Sequence, residues 1–234
     1  MTAIGVTSER VKNDFYETPA PVVRVLWCEV LAAHRPKCIV DPCAGRGTIL
    51  DTIRNMADSY QPHTMGIELD PVLFERIVGH ESICADALAP EQRWFADTEN
   101  RPDWCVMNPA FSLLIPFVEK ALELVPKVAA LASLTFAAGE NRYEFWKKNP
   151  ANVYPLSPRP SFCQSARCTQ KFRNEKRGCG WSTKFELSQT PPKRCPICRG
   201  KVSVSKTDAS EYAWFIWGMD TVGLWRPINW RPYL

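Results

Sequence analysis

Four short stretches of this sequence hold residues whose types and spacing could do chemistry, and none contains a histidine beside a nucleophile or a pair of facing carboxylates. The first is Asp41-Pro42-Cys43-Ala44-Gly45-Arg46-Gly47-Thr48, a glycine-bearing turn between an apolar strand and an amphipathic helix. Such a turn lets a ligand approach the backbone at the carboxyl end of a strand, where open α/β sheets bind nucleotides. The second is Glu68 in Gly66-Ile67-Glu68-Leu69-Asp70, twenty-one residues past Gly47 at the end of the next strand. A carboxylate there can accept hydrogen bonds from both hydroxyls of a ribose. A dinucleotide fingerprint asks for a third glycine where Leu50 stands, so the pattern favours another adenosine ligand over NAD. Asp86, after a third strand, could accept from an exocyclic adenine amine; taken alone it reads as a helix cap.

The third stretch, Met107-Asn108-Pro109-Ala110-Phe111, closes a fourth strand. An exocyclic adenine amine is a poor nucleophile because its lone pair is conjugated into the ring. A site that uses it must accept its hydrogens and hold it in line with an electrophile. The Asn108 side-chain carbonyl and the Pro109 backbone carbonyl can do the accepting, and Phe111 can stack on an extruded base.

The fourth stretch is a cluster of Cys163, Cys168, Cys179, Cys195 and Cys198. Cys195-Pro196-Ile197-Cys198-Arg199-Gly200 places two thiolates two residues apart on a tight turn, with a glycine just after, which is a zinc-knuckle pattern. Cys168 and Cys179 are the favoured partner pair, with Cys163 as the spare thiol; a pair drawn from Cys163 with Cys168 or Cys179 stays open. The segment 163–205 carries ten Lys or Arg against Glu175 and Glu186, although the whole chain is only +4, so the rest of the chain is net negative. Lys171, Arg173, Lys176, Arg177, Lys193 and Arg194, interleaved with Phe172, Trp181 and Phe185, would suit a phosphate backbone. The plainer reading is that zinc staples a segment too small to build its own core.

The elements that must position these residues alternate. Cys38 to Val40, His63 to Ile67, Ser82 to Cys84, Trp104 to Met107 and Val128 to Leu134 read as strands. Thr48 to Met56, Pro71 to Val78 and Leu113 to Leu124 read as helices, which argues for a mostly parallel sheet covered on both faces. Tyr143 to Lys148 reads as a further helix, and Asn152 to Phe162 and Glu211 to Gly218 as strands forming an edge hairpin whose connection holds the cysteine segment. The tail from Leu224 to Leu234 reads as irregular.

Length and composition agree. A chain of 234 residues, 45% hydrophobic and 23% charged, is an ordinary globular protein, which excludes disordered and fibrous classes. No apolar run reaches membrane-spanning length and the N-terminus lacks a secretory pattern, so the expected location is the cytoplasm, where unpaired thiols persist. No membrane and no obligate protein partner is indicated.

The succession of motifs resembles the class I S-adenosylmethionine-dependent methyltransferases, and specifically the phage and prophage DNA adenine-N6 group. In that family the fourth strand ends in Asn-Pro-Pro-Phe or Asp-Pro-Pro-Tyr; Asn108, Pro109 and Phe111 match and Ala110 departs. Asp14-Phe15-Tyr16-Glu17-Thr18-Pro19 resembles the family's N-terminal cofactor motif, and Arg159-Pro160-Ser161-Phe162 and the run from Thr207 to Phe215 resemble its closing hairpin. The resemblance spans nearly the whole chain except 163–205. It implies a Rossmann-like fold with a mostly parallel seven-stranded sheet and an antiparallel edge hairpin. Residues 1–162 with 206–234 would form the methyltransferase domain, and 163–205 an inserted zinc-binding module. It implies that Tyr16, Thr18, Asp41, Ala44, Gly45, Gly47, Glu68 and Asp86 hold S-adenosylmethionine, and that Asn108, Pro109 and Phe111 present a flipped adenine of DNA, with Phe162 as a further base contact. The location would be a bacterial or phage-infected cell. Other amino acceptors, namely cytosine N4, an RNA base or a protein glutamine, and a non-catalytic zinc protein on the same scaffold, are the alternatives.

Overall fold

The computed structural model describes residues 17–57, 60–95, 100–138, 140–169, 179, 182–186, 190–205 and 210–234. These fall into two compact units, one made of the described residues within 161–209 and the other of 17–160 with 210–234.

The larger unit opens with a helix absent from the sequence expectation: α1 (Ala20–Leu26) runs through a π turn (Trp27–Leu31) into α2 (Ala32–His34). Its valines favour a strand reading. Pro19 instead starts a helix, accepting from the Val22 N–H at 2.9 Å, and Arg35 ends it in a left-handed conformation. Val22, Val23, Val25, Leu26, Val30 and Leu31 are buried, so tertiary packing overrides local propensity.

Then follow β1 (Cys38–Asp41), α3 (Thr48–Met56), β2 (His63–Glu68), α4 (Pro71–Phe74), β3 (Glu81–Cys84), β4 (Trp104–Met107), α5 (Leu114–Leu124), β5 (Lys127–Ser133), α6 (Tyr143–Lys148) and β6 (Asn152–Ser157). In the smaller unit lie β7 (Cys163–Cys168), β8 (Ser182–Glu186) and β9 (Val202–Ser205), an antiparallel sheet in the order β8-β7-β9. The chain returns through β10 (Tyr212–Trp217) and β11 (Ile228–Asn229). The large sheet has the order β11-β6-β10-β5-β4-β1-β2-β3. β10 runs against both β5 and β6, while the pairs among β1 to β5 are parallel.

Three expectations need correction. Asp70 caps α4 through the Val72 N–H at 2.9 Å, but α4 ends at Phe74, four residues early. Tight turns there swing Ile77 inward, against the space beside Gly66 and Gly47. β6 stops at Ser157, well short of Phe162. The tail is not irregular: Ile228 and Asn229 pair in parallel with Leu156 and Ser157, giving eight strands. β6 would otherwise leave a row of unpaired backbone groups, which the tail satisfies.

The sheet is covered on both faces, which is why all six residues of β10 are buried. Trp214 turns to α1, its Nε1 donating to the Val22 carbonyl at 3.0 Å. Phe215 and Trp217 turn to the other face, into a cluster with Phe136, Phe145 and Trp146; the Trp146 and Trp217 rings stack with centroids 6.0 Å apart. Burying each such side chain contributes about 1.5–3 kcal/mol. No helix among the described residues is long and apolar enough to cross a membrane.

Candidate functional site

The glycine turn is clasped to the end of β2. The Ala44 N–H donates to the Ile67 carbonyl at 2.9 Å and the Gly47 N–H to the Ala44 carbonyl at 2.8 Å. Gly45 and Gly47 sit at φ of 57° and 83°, a region that penalises any side chain. A Cβ on Gly66 would lie 3.2 Å from both the Ala44 Cβ and the Leu50 Cδ1, so the turn closes down on β2 there, a role the sequence pattern does not announce. Glu68, expected to meet a ribose, also braces this turn: Oε2 accepts from the Gly45 N–H at 2.7 Å and Oε1 from the Asp70 N–H at 2.8 Å. Each carboxylate oxygen has a second lone pair, so bracing leaves capacity for a ligand hydroxyl.

Asp41, at the end of β1, is fully buried. Its Oδ1 accepts from the Cys43 N–H at 3.1 Å, while Oδ2 has no hydrogen-bond partner among the described residues. Burial pushes its carboxyl up to about 7; the Cys43 hydrogen bonds act in the opposite sense and the nearby Glu68 adds to the rise. Burial, and then the nearby Asp41, also pushes the Cys43 and Cys105 thiols well up, so they stay neutral and are not nucleophiles.

A raised pKa in the folded state means the native protein holds the Asp41 proton more tightly than the unfolded chain does. Its contribution to stability is fully present below about pH 4 and is lost as pH rises through about 7. Asp41→Asn removes this dependence. The melting temperature of the variant relative to the parent is expected to rise between pH 4 and pH 8, and an unchanged difference would contradict the burial of a titrating carboxyl.

The end of β4 meets the lead segment. The Asn108 Nδ2 donates to the Thr18 Oγ1 at 2.9 Å, and Thr18 is 5% exposed. Glu17 reaches the glycine turn, its Oε1 accepting from the Thr48 Oγ1 at 2.8 Å and its Oε2 pairing with Arg46 at 3.2 Å. Residues 17 and 18 thereby tie the two loops together. Glu17, Arg46 and Thr48 escaped the sequence reading; a carboxylate next to Thr18 that suits a helix N-terminus was the available signal.

Pro109 is buried, and Phe111 is 42% exposed with its ring 6.0 Å from that of Tyr212, tilted by 33°. Tyr212 was read only as a strand residue. Ala110 has φ of −52° and ψ of 132°, within the range proline imposes. The backbone at Ala110 thus keeps the shape a proline would impose. Ala110→Pro is expected to raise stability by about 0.4–1 kcal/mol, read as a higher melting temperature; a lower one would show that the position needs its N–H.

Asp86 is exposed and its Oδ1 accepts from the Leu88 N–H at 2.9 Å; no helix begins there, so the bond closes a turn and the helix-cap reading does not hold. Tyr16 lies outside the described residues. Phe162, in the smaller unit, is 5% exposed and has little ring surface to offer a base.

The structure brings Cys168, Cys179, Cys195 and Cys198 together, with all four sulfurs within 4.8 Å of one another. The Cys168 and Cys198 sulfurs are 3.4 Å apart and those of Cys179 and Cys195 3.7 Å. A tetrahedral ion with bonds of about 2.3 Å sets its sulfurs about 3.8 Å apart, so the donor set fits one. The Cys195-Cys198 turn is closed by the Cys195 N–H to the Gly200 carbonyl and the Arg199 N–H to the Cys195 carbonyl, both 2.9 Å. Burial pushes the Cys195 thiol up, but hydrogen bonds from the Cys198 and Ile197 N–H groups and from neighbouring thiols bring it down to about 7. The side chain of Cys163 lies outside the described residues, as do Lys171, Arg173, Lys176 and Arg177. Lys193 and Arg194 are exposed beside the turn.

No protein-family model and no curated protein sequence matches the chain. Among solved structures, a type I restriction-modification system methyltransferase subunit from Streptococcus thermophilus is similar over 92% of this chain and 47% of its own, with a TM-score of 0.56 and 13% identity. This is the fold of the class I methyltransferases. The chain spans about half the length of that methyltransferase subunit. The METTL16 methyltransferase domain follows at a TM-score of 0.45 and 12% identity, over 86% of this chain and 69% of its own. An RNA methyltransferase from Salinibacter ruber, in complex with S-adenosyl-L-homocysteine, has a TM-score of 0.37 and 20% identity, over 49% of this chain and 76% of its own. In the class I methyltransferase fold, the Asp41, Glu68 and Asn108 positions lie at the carboxyl ends of neighbouring parallel strands.

Proposed function

We propose that the larger unit is a methyltransferase that uses S-adenosylmethionine to methylate the N6 amine of adenine in DNA, and that the smaller unit is a zinc-stapled DNA contact. The observation that carries the reading is Asn108, oriented through its amide nitrogen by the buried Thr18 hydroxyl at the end of β4. The other arm of that amide is a carbonyl, the acceptor an exocyclic amine requires.

S-adenosylmethionine, when bound, supplies an electrophilic methyl on a sulfonium. Ala44, Gly45 and Gly47 would admit it to the backbone and Glu68 would accept from its ribose hydroxyls. Asp41, whose buried oxygen lacks a partner among the described residues, suits the cationic amine of its methionine part. Thr18 and Tyr16 would lie towards that end and Asp86 towards the adenine amine. On the substrate side, the Asn108 and Pro109 carbonyls accept the two hydrogens of the amine and so hold its lone pair towards the methyl. Phe111, exposed and backed by Tyr212, stacks on the extruded base.

Zinc is the metal that four thiolates at this spacing favour, and it would hold the smaller unit together while leaving it strongly basic. A cytoplasmic location suits a thiolate centre, which needs reducing surroundings. Calorimetric titration with S-adenosylmethionine tests the cofactor half of the reading, and the expected result is one site per chain. Titration of a DNA duplex at stepped salt tests the other half: affinity is expected to fall steeply as salt rises. A salt-independent affinity would remove DNA as the partner.

A further inference from the structure

One large apolar side chain stands out on the smaller unit. Ile197, between Cys195 and Cys198, is 70% exposed, although its neighbours on either side in the turn hold their sulfurs inward. Its N–H bonds to the Cys195 sulfur, which fixes the peptide and leaves the side chain turned to solvent. Lys193, Arg194, Arg199 and Lys201 surround it in sequence, all exposed. Arg194 and Lys201 face each other across the turn as bridge partners, and the Arg194 guanidinium donates to the Arg199 carbonyl at 3.3 Å. No acidic residue occurs from 190 to 205. The arrangement is an apolar tip on a turn whose base gathers four sulfurs, with four exposed cations within four residues of it in sequence.

We propose that Ile197 is a wedge that enters between partly unstacked bases of DNA while Lys193, Arg194, Arg199 and Lys201 hold the flanking phosphates. The proposal rests on the reading of the smaller unit as a DNA contact and adds the mode of contact. Two observations select this partner. Four cations and no acidic residue from 190 to 205 match phosphates running along both sides of a groove, and an aliphatic side chain among them matches the apolar faces exposed where two base pairs part. The four-sulfur base holds the tip in place, so insertion costs little ordering entropy. Side chains of this kind kink duplexes by roughly 20–90°.

The test is the affinity of the full chain for a fluorescent duplex at stepped salt, together with energy transfer between dyes on the duplex ends. Ile197→Ser is expected to weaken binding about tenfold, with the salt slope and the zinc content unchanged. It should also abolish the end-to-end shortening that the parent produces, and Ile197→Leu should restore both. Lys193→Ala is expected instead to reduce the salt slope by about one. Parental affinity and bending in Ile197→Ser, with a steep salt slope retained, would overturn the wedge and leave the DNA reading standing. A parent chain without salt-dependent affinity for DNA, or one that binds polyglutamate as tightly, would overturn both.

Discussion

Asn108→Ala is expected to leave S-adenosylmethionine binding intact and to lower turnover by about a hundredfold or more. The side chain offers its amide nitrogen to Thr18 and, in the proposed reaction, its carbonyl to the reacting amine. Alanine removes the acceptor and, with it, the force that turns a conjugated lone pair towards the methyl. Glu68 and the Ala44 and Gly47 backbone brace the glycine turn from the β2 side, so that loop should persist without this amide. The loss should therefore appear in kcat and kcat/KM together. Thr18→Val separates orientation from chemistry: the amide keeps its carbonyl but loses the bond that aims it, so a smaller fall is expected. Undiminished methylation by Asn108→Ala would remove this residue from the reacting site.

The second large effect is at the sulfur cluster. A double change of Cys195 and Cys198 to serine is expected to release the metal, unfold the smaller unit and abolish salt-dependent DNA binding. The magnitudes make this nearly all or none. Zinc in comparable thiolate sites supplies about 10–16 kcal/mol at neutral pH, whereas a core of so few residues rarely supplies more than about 3–5 kcal/mol. The core of the larger unit is a separate packing of β-strands and the Phe136 to Trp217 aromatics, so its melting transition should persist. Metal emission from the purified variant provides the check; full metal content would refute the site.

The parts of the fold legible in the sequence are those where local pattern and global packing agree. Trp104 to Met107 and Thr48 to Met56 were placed to the residue because a short apolar run and an amphipathic period leave no alternative. The helix from Ala20 was not legible, since three valines in four residues favour extended chain until Pro19 and the sheet beneath decide otherwise. β11 was invisible for a different reason: two residues cannot show a period, and what orders them is the open edge of β6.

In the site, the structure brings together Cys168, Cys179, Cys195 and Cys198, the set favoured from the sequence, while the side chain of Cys163 lies outside the described residues. Ala110 departs from the motif of the family the sequence resembles, yet its backbone stays where proline would put it. The bonds from Glu17 to Thr48 and from Asn108 to Thr18 cross thirty-one and ninety residues and leave no periodic trace in the sequence.

Methyl transfer to adenine in DNA can be measured by incubating the chain with radiolabelled S-adenosylmethionine and unmethylated DNA, then digesting to nucleosides. Label is expected in N6-methyladenine and is expected to be lost in Asn108→Ala. Label in another nucleoside, or none from a preparation that binds the cofactor, would contradict it.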